Sequence, residues 1–162
     1  METKTFSVAP HYKHTQFSYL MLFSTLAVFA LFAWVHISAS AEPESADSGP
    51  NFAITALMAL ILFILASLLS LQVIIDGEYL RIKFSFGIYQ KKFPLSDITS
   101  AKIVKNHWHY GWGIREWLWP KMLIYNVSGF DAIEIQLKNG KTYRIGTNEP
   151  EKLEQTILQS IK

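Results

Sequence analysis

Two apolar runs, each long enough to cross a bilayer, constrain this 162-residue chain more than any other feature. Residues 17–38, FSYLMLFSTLAVFALFAWVHIS, hold no Asp, Glu, Lys or Arg in 22 positions, and residues 52–74, FAITALMALILFILASLLSLQVI, hold none in 23. About 20 apolar residues, rising 1.5 Å each, cover the roughly 30 Å hydrocarbon core. Lipid offers the backbone no hydrogen bonds, so each run is expected to be a helix that satisfies its own amides. The short connection 39–51, with Pro43, Gly49 and Pro50, makes them an antiparallel hairpin.

Charge orients that hairpin. Lys4 and Lys13 precede the first run, and the connection carries Glu42, Glu44 and Asp47 without a single base. Thirteen of the fifteen Lys and Arg residues follow the second run. Basic flanks stay on the cytoplasmic side, so the expected topology is two-pass, with loop 39–51 outside and both termini cytoplasmic. Ala39-Ser40-Ala41 offers a competing signal-peptidase-like site, but the preceding run exceeds the roughly 7–15 residues of a secretory h-region. His36 and Gln72 fall near the ends of the runs, where a polar group reaches the headgroups. Residues 1–16 read as a short cytoplasmic arm.

Beyond the second run the period changes from helical to two. Leu80, Ile82, Phe84 and Phe86 alternate with Arg81, Lys83 and Ser85 after an Asp76-Gly77 turn, the pattern of a half-buried strand. Strands are likewise expected over 89–93, 98–104, 132–137 and 142–145. Asn139-Gly140 supplies the hairpin turn between the last two. Asn148 with Glu151 three residues on looks like a capping box, and Leu153, Ile157, Leu158 and Ile161 line one face of a closing helix.

The stretch YNVSGFDAIEIQLKNGKTYRIGTNEPEKLEQTI (125–157), with YGWGIR (110–115) upstream, resembles bacterial PH-like (pleckstrin-homology-like) membrane proteins. RIGTNEPEKL (144–153) is the most specific part, and the similarity runs over about 75–160. The resemblance implies one or two N-terminal spans, then a seven-stranded β-sandwich or barrel over 75–162 capped by the C-terminal helix; with the charge asymmetry, the expected location is the inner membrane. It implies no enzymatic activity and no cofactor.

One segment concentrates the candidate chemistry. NHWHYGWGIREWLWPK (106–121) holds four of the five tryptophans and two histidines. Trp108, Trp112, Trp117 and Trp119, interleaved with Arg115 and Lys121, fit a loop lying against anionic headgroups, since indoles favour the boundary between apolar and wet surroundings. The competing reading is that these rings pack the core or form a lid over it. Gly111 and Gly113 belong to a structural half, and EWLWPK to the half more suited to a membrane. His107 and His109, at i and i+2, share a strand face but need a third ligand from His11, His14, Glu116 or Asp131. Arg81, Lys83, Lys91 and Lys92 form a second, basic patch on a hairpin, suited to anionic lipid or an acidic partner.

The function classes narrow accordingly. The chain has no cysteine, which excludes disulfide scaffolds, thiol catalysis and cysteine–zinc sites. No P-loop, nucleophile elbow or HExxH spacing occurs. Thirteen bases against nine acids after residue 75 make no dense basic stripe for nucleic acid. The expected protein is therefore a non-enzymatic membrane-bound binding or scaffold module. Its partners would be membrane lipids and a membrane protein or a second copy of the chain. An accessory subunit of a transport or export complex is the alternative, and a His-dependent metal enzyme a more remote one.

Overall fold

The computed structural model describes residues 11–41 and 52–161. It opens with a strand. Tyr12–Phe17 (β1) precedes a helix over Tyr19–Ala41 (α1), and a second helix, Phe52–Ser67 (α2), leads into Ser70–Ile75 (β2). Strands Tyr79–Phe84 (β3) and Gln90–Pro94 (β4) complete a four-stranded antiparallel sheet in the order β1-β2-β3-β4. Ile98–Lys105 (β5), Gly113–Leu118 (β6), Lys121–Asn126 (β7), Asp131–Leu137 (β8) and Thr142–Gly146 (β9) form a second sheet, ordered β5-β8-β9-β7-β6. Its one parallel pair is β7 with β9. Pro150–Ser160 (α3) ends the fold.

Two boundaries differ from those read in the sequence. The supposed arm is partly a strand, since Tyr12 to Phe17 pair residue by residue with Ile75 to Ser70. Its inward side, Tyr12, His14 and Gln16, alternates with Lys13, Thr15 and Phe17, a period-two pattern disguised by polar residues on both faces. The second apolar run is not one helix either. The helix stops at Ser67, and from Ser70 the chain is strand, with Leu71, Val73 and Ile75 buried. Absence of charge continues through both elements, so hydropathy alone merges them. Gln72 accordingly lies in the sheet, where its amide donates to Thr15 Oγ1 at 2.9 Å.

Of the two apolar helices, α1 alone is long and apolar enough to cross a bilayer, over Tyr19–Ala39. The 16 residues of α2 span about 24 Å at 1.5 Å each. The helices pack against each other in antiparallel fashion. At their roots the Ser18 amide donates to Leu69 O at 2.8 Å, and further out Thr55 Oγ1 lies 3.3 Å from His36 Nε2. None of α2 is buried, and Phe23, Phe29, Trp34, Phe52 and Phe63 all stand exposed.

The sheets face each other across one core. Leu71, Val73, Ile82, Phe84 and Phe93 from the first meet Tyr125, Ile133, Ile135, Tyr143 and Ile145 from the second. Phe93 packs edge-on to Tyr143 with centroids 4.8 Å apart, and the Tyr89 and Tyr125 hydroxyls meet at 2.9 Å. Burial, then the Tyr89 hydroxyl, pushes the Tyr125 phenol far above its ordinary range. Leu153 and Ile157 of α3 complete the core, whereas Leu158 stays partly exposed.

The capping box does not form. Glu149, not Asn148, is the N-cap residue and makes no side-chain cap, while Asn148 Oδ1 bonds His14 Nε2 on β1. Seven of the nine strands of the described residues, β3 to β9, fall within 75–162, and β1 and β2 add two from before it.

Candidate functional site

The tryptophan-rich segment folds back on the outer face of the second sheet. After β5 the chain makes a short 3-10 turn at Trp108–Tyr110 that lays Tyr110 over Met122, Ile124 and Trp117. Tyr110 is buried, with its ring 4.8 Å from Trp117 and the Arg144 guanidinium 5.6 Å from its centroid. Arg144 is fixed in turn by Glu134 Oε2 at 2.8 Å on the neighbouring strand. Gly111 and Gly113, at φ +66° and +103°, let the chain reverse from this lid into β6. The segment is thus a small second core, the packing alternative for Trp117. Trp112 is half-buried in the same turn.

His107 and His109 stack parallel, with centroids 5.2 Å apart and 9° between planes, and both flank Tyr110 edge-on. No cluster of three His, Cys, Asp or Glu that could hold a metal occurs among the described residues. His14 of the proposed third ligands is engaged elsewhere. Its Nδ1 lies 3.4 Å from Glu149 Oε2, which Lys152 Nζ also approaches at 3.4 Å and the Tyr12 hydroxyl at 3.5 Å. Burial, then the Glu149 carboxylate, pushes the Tyr12 phenol up to about 12. This polar cluster ties β1 to the start of α3.

The EWLWPK turn stands apart from the helices. Gly113, where β6 begins, adjoins Leu68 at the end of α2: a Cβ there would lie 3.6 Å from Leu68 Cδ1. Six extended residues carry β6 about 17 Å from that point to Leu118. Leu118 and Trp119, 70% and 89% exposed, therefore crown the end of β6 remote from the helix roots, with Lys121 beside them. Trp108 is exposed as well, and Arg115 lies mid-strand opposite Ile124.

A different set of residues surrounds the helix roots. Phe17 at the end of β1, Tyr19 at the start of α1, and Phe86 and Ile88 in the β3–β4 turn are all exposed. The alternation of β3 had placed Phe86 inward. Instead the chain leaves the strand at Ser85, and Phe86 adopts φ +59°, a left-handed conformation uncommon for an aromatic residue. Ser70 binds the turn to the helix root through its amide at 2.7 Å and its hydroxyl at 3.0 Å, both to Ser85 Oγ. The sequence cue was the broken rhythm of Phe84-Ser85-Phe86-Gly87, an aromatic directly before a turn glycine.

The basic hairpin divides. Register places Lys13, Ile74, Arg81 and Lys92 in one outward row of the first sheet, and Thr15, Gln72, Lys83 and Gln90 in the next. Lys91 pairs with Ile82 and sits on the opposite side of the edge strand. Arg81 is neutralised by Asp76, which also holds the 76–79 turn through the Tyr79 amide at 2.9 Å. Lys83 leans over the β3–β4 turn: a Cβ on Gly87 would collide with its Cε and lie 3.1 Å from its Nζ. Lys13, a member of this face, was missed because the segment carrying it had been assigned to the arm.

No protein-family model and no curated protein matches the chain.

Proposed function

We propose that this chain is a non-enzymatic integral membrane protein whose two helices hold a PH-like β-domain against the cytoplasmic face of the inner membrane. There the domain acts as a binding or scaffold module for anionic lipid headgroups and for a membrane protein partner. One observation carries the reading. Both helices are apolar all round and buried nowhere in the fold, yet they rise without a linker from adjacent strands of one sheet. Such surface is unfavourable in water by about 25 cal/mol per Å² and is at home in lipid.

In this reading α1 spans the bilayer and α2 accompanies it. The deficit of α2 against a roughly 30 Å core is absorbed by local thinning of the bilayer. Phe17, Tyr19, Phe86 and Ile88 form an interfacial collar, and Lys83 beside them faces the phosphates. That collar is a better headgroup contact than the Trp119 turn, which sits at the far end of β6. Lys13 and Lys92 lie further along the same sheet face and extend its positive field.

The absence of cysteine makes the topology directly testable. Single cysteines at Asn139, in the β8–β9 turn, and at Asp47, between the helices, are to be probed with a membrane-impermeant thiol reagent in whole cells. The expected result is labelling of Asp47→Cys in intact cells and of Asn139→Cys only after permeabilisation. Labelling of both in intact cells, or of neither, would overturn the two-pass topology.

A further inference from the structure

A cleft opens where the helices meet the first sheet, beside the collar. Its volume is about 460 Å³, within the roughly 300–1,000 Å³ range of ligand pockets. Phe17, Tyr19, Leu22, Leu69 and Phe86 line it, together with Ser18, Ser70 and Ser85. Its serine hydroxyls are already used within the protein. Ser18 Oγ accepts from the Met21 amide at 3.2 Å, and Ser70 and Ser85 bond each other. The rest of the lining is mainly hydrocarbon and aromatic surface, which favours an apolar occupant.

We infer that this cleft takes one acyl chain of a membrane phospholipid, with the phosphate received by Lys83, whose side chain runs beside Gly87, next in sequence to the cleft-lining Phe86. Continuity with α1 identifies the source. Tyr19 and Leu22 belong to the first turns of the helix that can span the bilayer, so the cleft opens onto the depth at which acyl chains begin. Phe86 supports the same assignment. Its left-handed backbone is a sterically costly one for an aromatic residue, and it holds a 71% exposed ring beside the cleft rather than in the core. Gly87 is required beside it, both by φ +71° and because any side chain there would displace Lys83. The inference rests on the membrane reading above and adds a ligand class to it.

The test uses the full chain reconstituted with phosphatidylglycerol carrying a photoactivatable diazirine midway along one acyl chain. Lipids merely surrounding the helices label α1 and α2. A chain seated in the cleft also labels the Ser85–Ile88 turn, which belongs to no helix of the membrane pair. We expect that label in the wild type, and a fall of about tenfold in it for Leu22→Trp, which fills the cleft from a lipid-compatible helix position. Lys83→Gln should keep the label but abolish its preference for phosphatidylglycerol over phosphatidylethanolamine. Alkaline extraction of the same membranes reports separately on integral association. If all variants resist extraction while the turn is unlabelled, or is labelled equally in Leu22→Trp, the cleft assignment is wrong and the membrane reading stands. If the wild type is extracted as a soluble protein, both fall.

Discussion

The backbone amide of Ser18 donates to the carbonyl of Leu69 at 2.8 Å, one step beyond the last β1–β2 pair, Phe17 with Ser70. Sheet pairing thus runs directly into the base of the helical pair. Ser18 is itself buried, its hydroxyl accepts from Met21 N, and its carbonyl accepts the Leu22 amide at 3.0 Å. It is the N-cap of α1 in function. Ser18→Ala should cost about 1 kcal/mol by removing the side-chain acceptor, read as a lowered melting temperature in detergent, while Ser18→Asp or Ser18→Asn should recover part of it.

A second prediction concerns Gly146, which sits between β7 and β8 with ordinary negative φ. A Cβ there would collide with Asn126 Oδ1 and lie 2.8 Å from Asn126 Cγ and 3.2 Å from its Cα. The backbone neighbour cannot yield, so Gly146→Ala should destabilise by about 3 kcal/mol. Adding Asn126→Ala should restore a measurable part, because it removes the clashing amide. A strictly additive double mutant would show that side-chain crowding is not the cause.

The tryptophans should separate cleanly in a stability measurement. Trp117 packs on Tyr110, and its indole N–H donates to Trp119 O at 2.9 Å. Trp117→Ala should therefore lose about 2 kcal/mol, less than a fully buried tryptophan would. Trp119 touches solvent over most of its surface, and Trp119→Ala should change stability by no more than about 0.5 kcal/mol. Equal losses would contradict the lid described for the 106–112 segment.

Alkali should weaken the fold through Tyr12. Its phenol, ordinarily near 10, is held up to about 12 first by burial and then by Glu149. The fold therefore favours the neutral phenol. Its stabilising contribution is complete below pH 10 and is lost as pH climbs toward 12. The total is on the order of 2–3 kcal/mol, from about 1.4 kcal/mol per pH unit of displacement. Melting temperature should drop over that interval, and Tyr12→Phe should flatten the drop. Tyr125 acts in the same direction, so a residual slope is expected to remain.

The parts of this fold legible in the sequence are those where one face is apolar and the other is not. β3, β4, β5, β8 and β9 announced themselves by alternation, the β8–β9 turn by Asn139-Gly140, and α3 by Leu153 and Ile157. Four strands escaped. β1 has His14 and Gln16 pointing inward, where they bond Asn148 and Ser128 rather than pack as hydrocarbon. β2 is hidden inside an uninterrupted apolar run. β6 and β7 carry aromatic and apolar residues on both faces, because the second sheet is covered on one side by the core and on the other by Tyr110. The collar was illegible for a related reason. Phe17, Tyr19, Ser70 and Phe86 come from three separate stretches of sequence, and only the β1–β2 and β2–β3 registers bring them together.

That register also says what may be cut away. Residues 18–69 occupy the position that a two-residue turn fills in an ordinary β-hairpin, because Phe17 and Ser70 are already paired neighbours. A fragment starting at residue 75 would lack half of the first sheet and could not be used as the isolated domain. Joining Phe17 to Ser70 through Asn-Gly would instead keep the nine strands of the described residues and omit both apolar helices. In the living cell the same geometry dictates an order of manufacture. β1 leaves the ribosome before its partner β2, so in the proposed membrane topology both helices would enter the bilayer before the sheet closes.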